Sequence, residues 1–280
     1  MDASQKKQLA IAATKIRMAA IEGTFHAKSG HPGGSLSASD ALAYLYFAKM
    51  NVDPQNPSCP TRDRFVLSKG HAAPAYYGAL AHKGFFSVEE MKVLRHVGAM
   101  LQGHPDMKGT PGVDMSTGSL GQGVSAAVGM ALAAKLDNAD YRVYSILGDG
   151  EIEEGQVWEA AMFASHKKLD NLCILVDNNN LQIDGTLEEV NSPYPIPEKF
   201  AAFGFAVEEI DGHDFDQLEA ALARAEATKG KPYAIVMKTV KGKGVSFMEN
   251  QVGWHGVAPN AEQYAAAMAE LEETLKQLEA

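Results

Sequence analysis

With 280 residues, 46% of them hydrophobic, the chain can bury a full core, and one α/β domain spanning 1–280 is expected in preference to two small ones. Lys and Arg number 25 against 35 Asp and Glu, a net charge of −10, and no basic cluster exists beyond the scattered lysines of Lys238 to Lys243, which argues against a nucleic-acid partner. No apolar run is long enough to span a bilayer, the N-terminus lacks the apolar core of a signal peptide, and Cys59 and Cys173 have no partner spacing, so a cytoplasmic protein with two reduced thiols and no membrane association is expected.

Apolar positions Leu9, Ile11, Ala12, Ile16, Ala19, Ala20 and Phe25 recur at helical spacing, predicting a long amphipathic helix from Ser4 to Lys28. His31-Pro32-Gly33-Gly34 then forms a tight turn, and helical periodicity resumes over Ser35 to Lys49. A Pro-rich connection, Asp53 to Pro60, leads to a short strand, Arg64 to Leu67. Ser68-Lys69-Gly70-His71 turns from that strand into a helix, Ala72 to Lys83, and a further helical stretch is expected over Phe85 to Val97 before Gly103-His104-Pro105. One turn histidine reads as solvated or as bonding its own turn, although at a helix N-terminus it can join an anion site. Three Gly-His turns, with Trp254-His255-Gly256 later, suit a crowded polar cavity better than coincidence.

Ser116 to Gly123 opens a small-residue segment running to Ala134, which predicts a helix buried against the sheet or at a subunit interface. Two apolar runs follow, Arg142 to Leu147 and Asn171 to Val176, separated by a helix-like segment from Glu154 to Lys167. They read as β-α-β with parallel strands. The first ends in Gly148-Asp149-Gly150 and the second in Asp177-Asn178-Asn179. Ligands of open α/β sheets collect at the carboxyl edge, and neighbouring strands lie about 5 Å apart, so Asp149 and Asn179 can converge on one cation. Oxygen ligands without clustered Cys or His suit Mg²⁺ or Ca²⁺ rather than Zn²⁺, and Mg²⁺ usually takes phosphate oxygens as well. Gly148 and Gly150 are expected to let the backbone turn sharply and approach those phosphates.

Beyond Gly185, the Pro-broken stretch Pro193 to Pro197 predicts an exposed loop. Phe205 to Ile210 reads as a strand, Phe215 to Thr228 as a helix, and Tyr233 to Lys238 as the last strand. His213, in Asp211-Gly-His-Asp214, reads as a turn with local Asx bonding. Lys241-Gly-Lys-Gly244 lacks P-loop spacing and reads as a mobile surface turn without a cofactor role, though such a loop could close over a substrate. A final amphipathic helix runs from Asn260 to Leu278, and no repeat interrupts the order.

Gly148-Asp149-Gly150, then 27 residues (151 to 177), then Asn178-Asn179 resembles the thiamine-diphosphate (ThDP) motif of the transketolase family. Ser29-Gly-His31-Pro-Gly-Gly34, Lys69-Gly-His71-Ala-Ala-Pro-Ala-Tyr-Tyr77, Gly103-His104-Pro105 and His255-Gly256 ahead of Ala258-Pro259 resemble it as well. The resemblance covers almost all of these residues, but only the N-terminal, diphosphate-binding portion of the family. It implies an α/β fold with a mostly parallel sheet flanked by helices. Implied metal ligands are Asp149, Asn179 and the carbonyl of Leu181, holding Mg²⁺ with Ca²⁺ or Mn²⁺ as alternatives. Gly150 is implied to donate its N–H to the diphosphate, His71, Asn179 and His255 to contact the cofactor, Gly118, Ser119 and Leu120 to touch it, and Glu154 to work at a contact between subunits.

The implied chemistry is reversible transfer of a two-carbon ketol unit from a ketose to an aldose, both as sugar phosphates of pentose phosphate metabolism. His31 and His255 are implied to handle the proton of the donor's C3 hydroxyl, and His104 to hold the transferred unit. The aminopyrimidine carboxylate belongs to a second family domain, so a split enzyme is expected, paired with a C-terminal subunit carrying the pyrimidine-binding domain in a heterotetramer of two of each. The alternatives are a subunit of a deoxyxylulose-phosphate-synthase-like or dehydrogenase-E1-like enzyme, or a non-catalytic ThDP/Mg²⁺-binding interaction protein.

Overall fold

The computed structural model describes residues 1–280. Helix α1 (Ala3–Ala27) begins at a capping box in which Asp2 accepts the Gln5 N–H at 2.8 Å and Gln5 accepts the Asp2 N–H at 3.1 Å. Helix α2 (Pro32–Tyr44) starts earlier than periodicity predicts, because Pro32 occupies its first turn, where a missing N–H costs nothing. His31 is therefore the N-cap residue of α2 rather than the middle of a free turn. Strand β1 (Arg64–Leu67) and helix α3 (Ala73–Lys83) follow as expected.

Phe85 to Val97 is not an α-helix. Only Val88–Val93 coils, as a 3₁₀ segment, and left-handed residues Gly84 (φ 104°), Arg95 (φ 63°) and Gly98 (φ 80°) break the stretch on either side. Its apolar pattern still reports burial, since Met91 and Leu94 are fully enclosed.

Helix α4 (Gly123–Leu136), strand β2 (Val143–Gly148), helix α5 (Gly155–His166) and strand β3 (Leu172–Asn178) form the expected β-α-β unit. The Pro-broken stretch is not simply an exposed loop. Short helices α6 (Leu187–Val190) and α7 (Ile196–Ala202) occupy the region, with Ile196 and Phe200 fully buried. Strand β4 (Ala206–Asp211), helix α8 (Phe215–Ala227), strand β5 (Tyr233–Lys238) and helix α9 (Ala261–Glu279) complete the chain.

The five strands form one sheet in the order β1-β2-β3-β5-β4, and every pairing is parallel. Successive side chains alternate between two cores. Tyr144, Ile146, Cys173 and Leu175 enter a core with α1, α2 and α3, whereas Val143, Leu147, Leu172, Ile174 and Val176 enter one with α4, α5 and α7. Both faces are covered, which is why β2 and β3 read as continuous apolar runs. No helix is long and apolar enough to cross a membrane.

A third, smaller cluster joins Val245 and Met248 to Ile21 of α1, Leu36 of α2, and Ala267 and Leu271 of α9. It presses the segment after β5 onto the start of α2, where the Gly242 N–H donates to the Gly33 carbonyl at 3.0 Å. Gly242 has φ 81°, and a Cβ there would collide with the Met248 carbonyl. Gly242→Ala is expected to cost roughly 1–3 kcal/mol in urea unfolding. An unchanged midpoint would mean that this turn bears no strain on substitution.

Candidate functional site

Four parallel strands deliver their C-terminal loops to one edge of the sheet: β1 brings Lys69, β2 Asp149, β3 Asn179 and β5 Lys241. Gly148 stands opposite Asp177 in register, so Asp149 lies one step beyond a second carboxylate. Asp149 is 3% exposed, with Oδ1 accepting the Gly150 N–H at 2.9 Å and Oδ2 the Asn180 N–H at 2.6 Å. Burial, and then the charge of Asp177, push Asp149 up to about 7.

Asp177 itself is fully enclosed and neutralised from several directions. It accepts from the Lys69 ammonium, from Ser37 Oγ at 2.6 Å and from Thr239 Oγ1. Burial is the largest influence and raises its pKa, but Lys69 together with the Ser37 and Thr239 hydrogen bonds brings the carboxyl below its ordinary range. Asn179 Nδ2 also points at Asp177, 3.4 Å away, which leaves Asn179 Oδ1 on the opposite side, accepting the Leu181 N–H at 3.2 Å.

Lys241 corrects the surface-turn expectation. It is 1% exposed, and its ammonium donates to the Leu181 carbonyl and to His255 Nδ1, each at 2.8 Å. Burial lowers its pKa to about 8. With Nδ1 accepting, the neutral His255 ring carries its proton on Nε2. Burial, then Lys241, hold His255 down to about 3, and burial, then Lys69, hold His71 well below the usual imidazole range.

Asp149, Gly150, Asn179, Leu181, His71 and His255 line one cleft of about 480 Å³, together with Leu120 and Glu154. His31 stands beside it, its ring 5.2 Å from that of His71 and 5.6 Å from that of His255. His104 is 6.5 Å from His31 and exposed, so it marks the outer end of the imidazole row. Gly118 has φ 139°, and a Cβ there would lie 2.9 Å from the His104 ring, so only glycine lets this loop pass. Ser119 is exposed between Gly118 and Leu120. A larger cavity of about 670 Å³ under α1, lined by Gln8, Lys15, Tyr44 and His82, receives none of the strand-tip residues.

Gly148 and Gly150 need no unusual dihedral: neither has positive φ, and Gly150 lies at φ −71°. The value of Gly150 is space, since a Cβ would come 3.2 Å from Gln182. Sequence reasoning also missed Glu151, whose buried carboxylate accepts from Ser68 Oγ, the Gly121 N–H at 3.0 Å and the Gly148 N–H at 2.9 Å, tying three loops together. His213 does make the expected local bond, its N–H to Asp211 Oδ1 at 2.9 Å. Its ring does more, bridging buried Asp40 of α2 at 2.6 Å to the Val240 N–H at 2.9 Å.

The donor set fits a hard cation and a diphosphate. No three His, Cys, Asp or Glu side chains gather as a metal-binding group, so a cation would depend on amide, carbonyl and external oxygens beside the one carboxylate of Asp149. Buried Asp149 bonds to no side-chain cation, while Lys241, Lys69 (paired with Asp177) and the neutral imidazole of His71 line the same cleft. The buried Nδ1 of His31 has no partner in the protein.

Residues 7–274 match the family model described as transketolase, thiamine diphosphate binding domain. The chain is 50% identical over 260 residues to the 6-deoxy-6-sulfo-D-fructose transketolase subunit SqwG of Clostridium sp. (strain MSTE9), covering 93% of this chain and 94% of that one. It is 44% identical to an apulose-4-phosphate transketolase subunit of Phocaeicola vulgatus, covering 98% of each. Among solved structures, the transketolase of Campylobacter jejuni superposes with a TM-score of 0.89 at 31% identity, over 99% of this chain. The chain spans less than half of that structure, 46%, and 40% of human transketolase, to which it is 42% identical. The strand-tip cleft thus sits in a chain that belongs to the transketolase family, in its thiamine diphosphate-binding domain.

Proposed function

We propose that this chain is the N-terminal, diphosphate-binding subunit of a two-chain transketolase, a ThDP-dependent transferase that moves a two-carbon ketol unit between sugar phosphates. The observation that carries the reading is near-complete coverage, 94% and 98%, of two relatives that are themselves named transketolase subunits. Those names favour transketolase over the other ThDP enzymes with a similar motif. A C-terminal subunit with the pyrimidine-binding domain, in a heterotetramer of two of each, completes the site on this reading. A cytoplasmic setting fits the two free thiols, Cys59 and Cys173.

Within this domain, Asp149, Asn179 and the Leu181 carbonyl hold Mg²⁺, with Ca²⁺ or Mn²⁺ as substitutes. Lys241, whose ammonium lies at that carbonyl and at His255, would pair with the diphosphate, beside His71, His255 and the Gly150 N–H. Gly118, Ser119 and Leu120 approach the cofactor from the α4 side, and Glu154 meets the neighbouring subunit. Bound ThDP supplies the carbon nucleophile and electron sink for carbon–carbon cleavage. The protein must move protons. His31, held down to about 4 by burial and by Arg95, is neutral at physiological pH and takes the proton of the donor's C3 hydroxyl. His255 presents its Nε2–H to the same region, and His104 holds the two-carbon unit at the outer end.

Three variants separate these roles, measured by calorimetric cofactor titration and by a ketol-transfer assay with the partner subunit. Asp149→Ala is expected to abolish Mg²⁺-dependent ThDP binding, whereas His31→Ala leaves affinity within about threefold and lowers kcat by about 10²–10⁴. Equal losses of affinity in both would remove His31 from proton transfer. Lys241→Met is expected to weaken ThDP binding by about 10–100-fold, the worth of a charge-assisted hydrogen bond; unchanged affinity would confine the lysine to a structural contact. Full transfer by the isolated chain would refute the two-chain assignment.

A further inference from the structure

One side chain ties together the two turns that carry His31 and His104. Arg95 follows the 3₁₀ segment with left-handed φ 63°, and its N–H donates to the Leu101 carbonyl at 2.8 Å. The side chain then reaches both turns. Nη1 donates to Ser29 Oγ at 2.7 Å, and Nη2 donates to the Gly103 carbonyl at 3.2 Å. Ser29 lies two residues before His31, and Gly103 immediately precedes His104.

The fit is close on the glycine side, where a Cβ at Gly103 would come 3.1 Å from Arg95 Nε and 3.2 Å from Cζ. The Gly103 backbone therefore lies against the guanidinium. Tyr77 secures the same turn from beneath, its single hydroxyl proton shared between the Gln102 and His104 carbonyls, each 2.9 Å away. A planar guanidinium carries its donors on separate nitrogens in a fixed fork, so it sets the spacing of two acceptors more rigidly than the single nitrogen of an ammonium on a flexible stem.

We propose that Arg95 is a positioning residue for ketol transfer, setting the separation and orientation of His31 and His104 through Ser29 and Gly103. The proposal rests on the reading of those two histidines as groups that act on the sugar. Its fixed charge works in the same direction. Burial and then Arg95 are the leading causes that hold His31 down to about 4, and burial and then Arg95 lower His104 as well. His104 and Lys241 also act on His31, whose ring is further faced by His71 and His255, while Tyr77 faces Arg95. Removing the guanidinium therefore loosens both turns and lets both imidazoles protonate at higher pH.

The test uses Arg95→Met, Arg95→Lys and Ser29→Ala in the full chain. Imidazole NMR titration of the chain is one readout, and ThDP/Mg²⁺ affinity with kcat against pH in the complex with its partner subunit is the other. In Arg95→Met, His31 and His104 are expected to titrate at higher pH, the acid limb of kcat to move up with them, and kcat to fall about 100-fold, with cofactor affinity within about twofold. Arg95→Lys is expected to keep the titrations near wild type yet lose about tenfold in kcat, because the charge remains and the double tie does not. Ser29→Ala, which cuts one tie, is expected to lose less than Arg95→Lys, and these two milder variants decide the matter if Arg95→Met fails to fold. Full rate in Arg95→Lys would overturn the proposal by reducing Arg95 to a charge, and parallel loss of cofactor affinity would overturn it by making Arg95 a general structural residue. A wild-type complex that transfers no two-carbon unit would instead defeat the functional reading, while the NMR titrations would still judge the hold of Arg95 on the two rings.

Discussion

Two carboxylates at the tips of adjacent parallel strands are the constraint around which this protein is built. Asp149 and Asp177 stand almost side by side in a buried setting, where two uncompensated charges are costly. Lys69 resolves half of the problem by pairing with Asp177, which also collects Ser37 and Thr239. Asp149 has only backbone N–H donors, and burial, then the charge of Asp177, raise its pKa. One internal cation thus pairs with the carboxylate that organises the loops, and none bonds directly to the other.

The remaining groups arrive because the sheet is parallel. Strands β1, β2, β3 and β5 all release their chains at the same edge, and only outlying β4 contributes nothing to the cleft. Each arrival is then locked by a contact distant in sequence. Glu151 draws in the loops at Ser68 and Gly121, while the Arg17–Asp40–His213 series ends on the Val240 N–H beside Lys241. The result is a polar cleft whose imidazoles are kept neutral by burial and by neighbouring cations.

The β-α-β core was legible because β-branched apolar runs stop sharply at Gly and Asp, and period and punctuation agree. The Gly-His turns were legible as a set, and the structure does bring His31, His71 and His255 into ring contact. Phe85 to Val97 was misread because burial of Met91 and Leu94 imitates a helical stripe, while the left-handed Arg95 that breaks it is a residue type with no turn signature. Lys241 was misread for another reason. A lysine between glycines resembles a solvated turn in any local window, and what buries it are Leu181 and His255, 60 and 14 residues away. Lys69 and Glu151 escaped notice in the same way, since their partners Asp177 and Ser68 lie 108 and 83 residues off.

The last helix gives the lysine loop a character of its own. Helix α9 buries only Ala267 and Leu271 among its 19 residues, yet those two side chains close the cluster that seats Val245 and Met248. Elements with so little enclosed surface detach at lower free energy than a central sheet. Lys241 therefore reaches the cleft from a segment seated by packing outside the sheet, whereas Asp149 and Asn179 stand directly beyond strand ends.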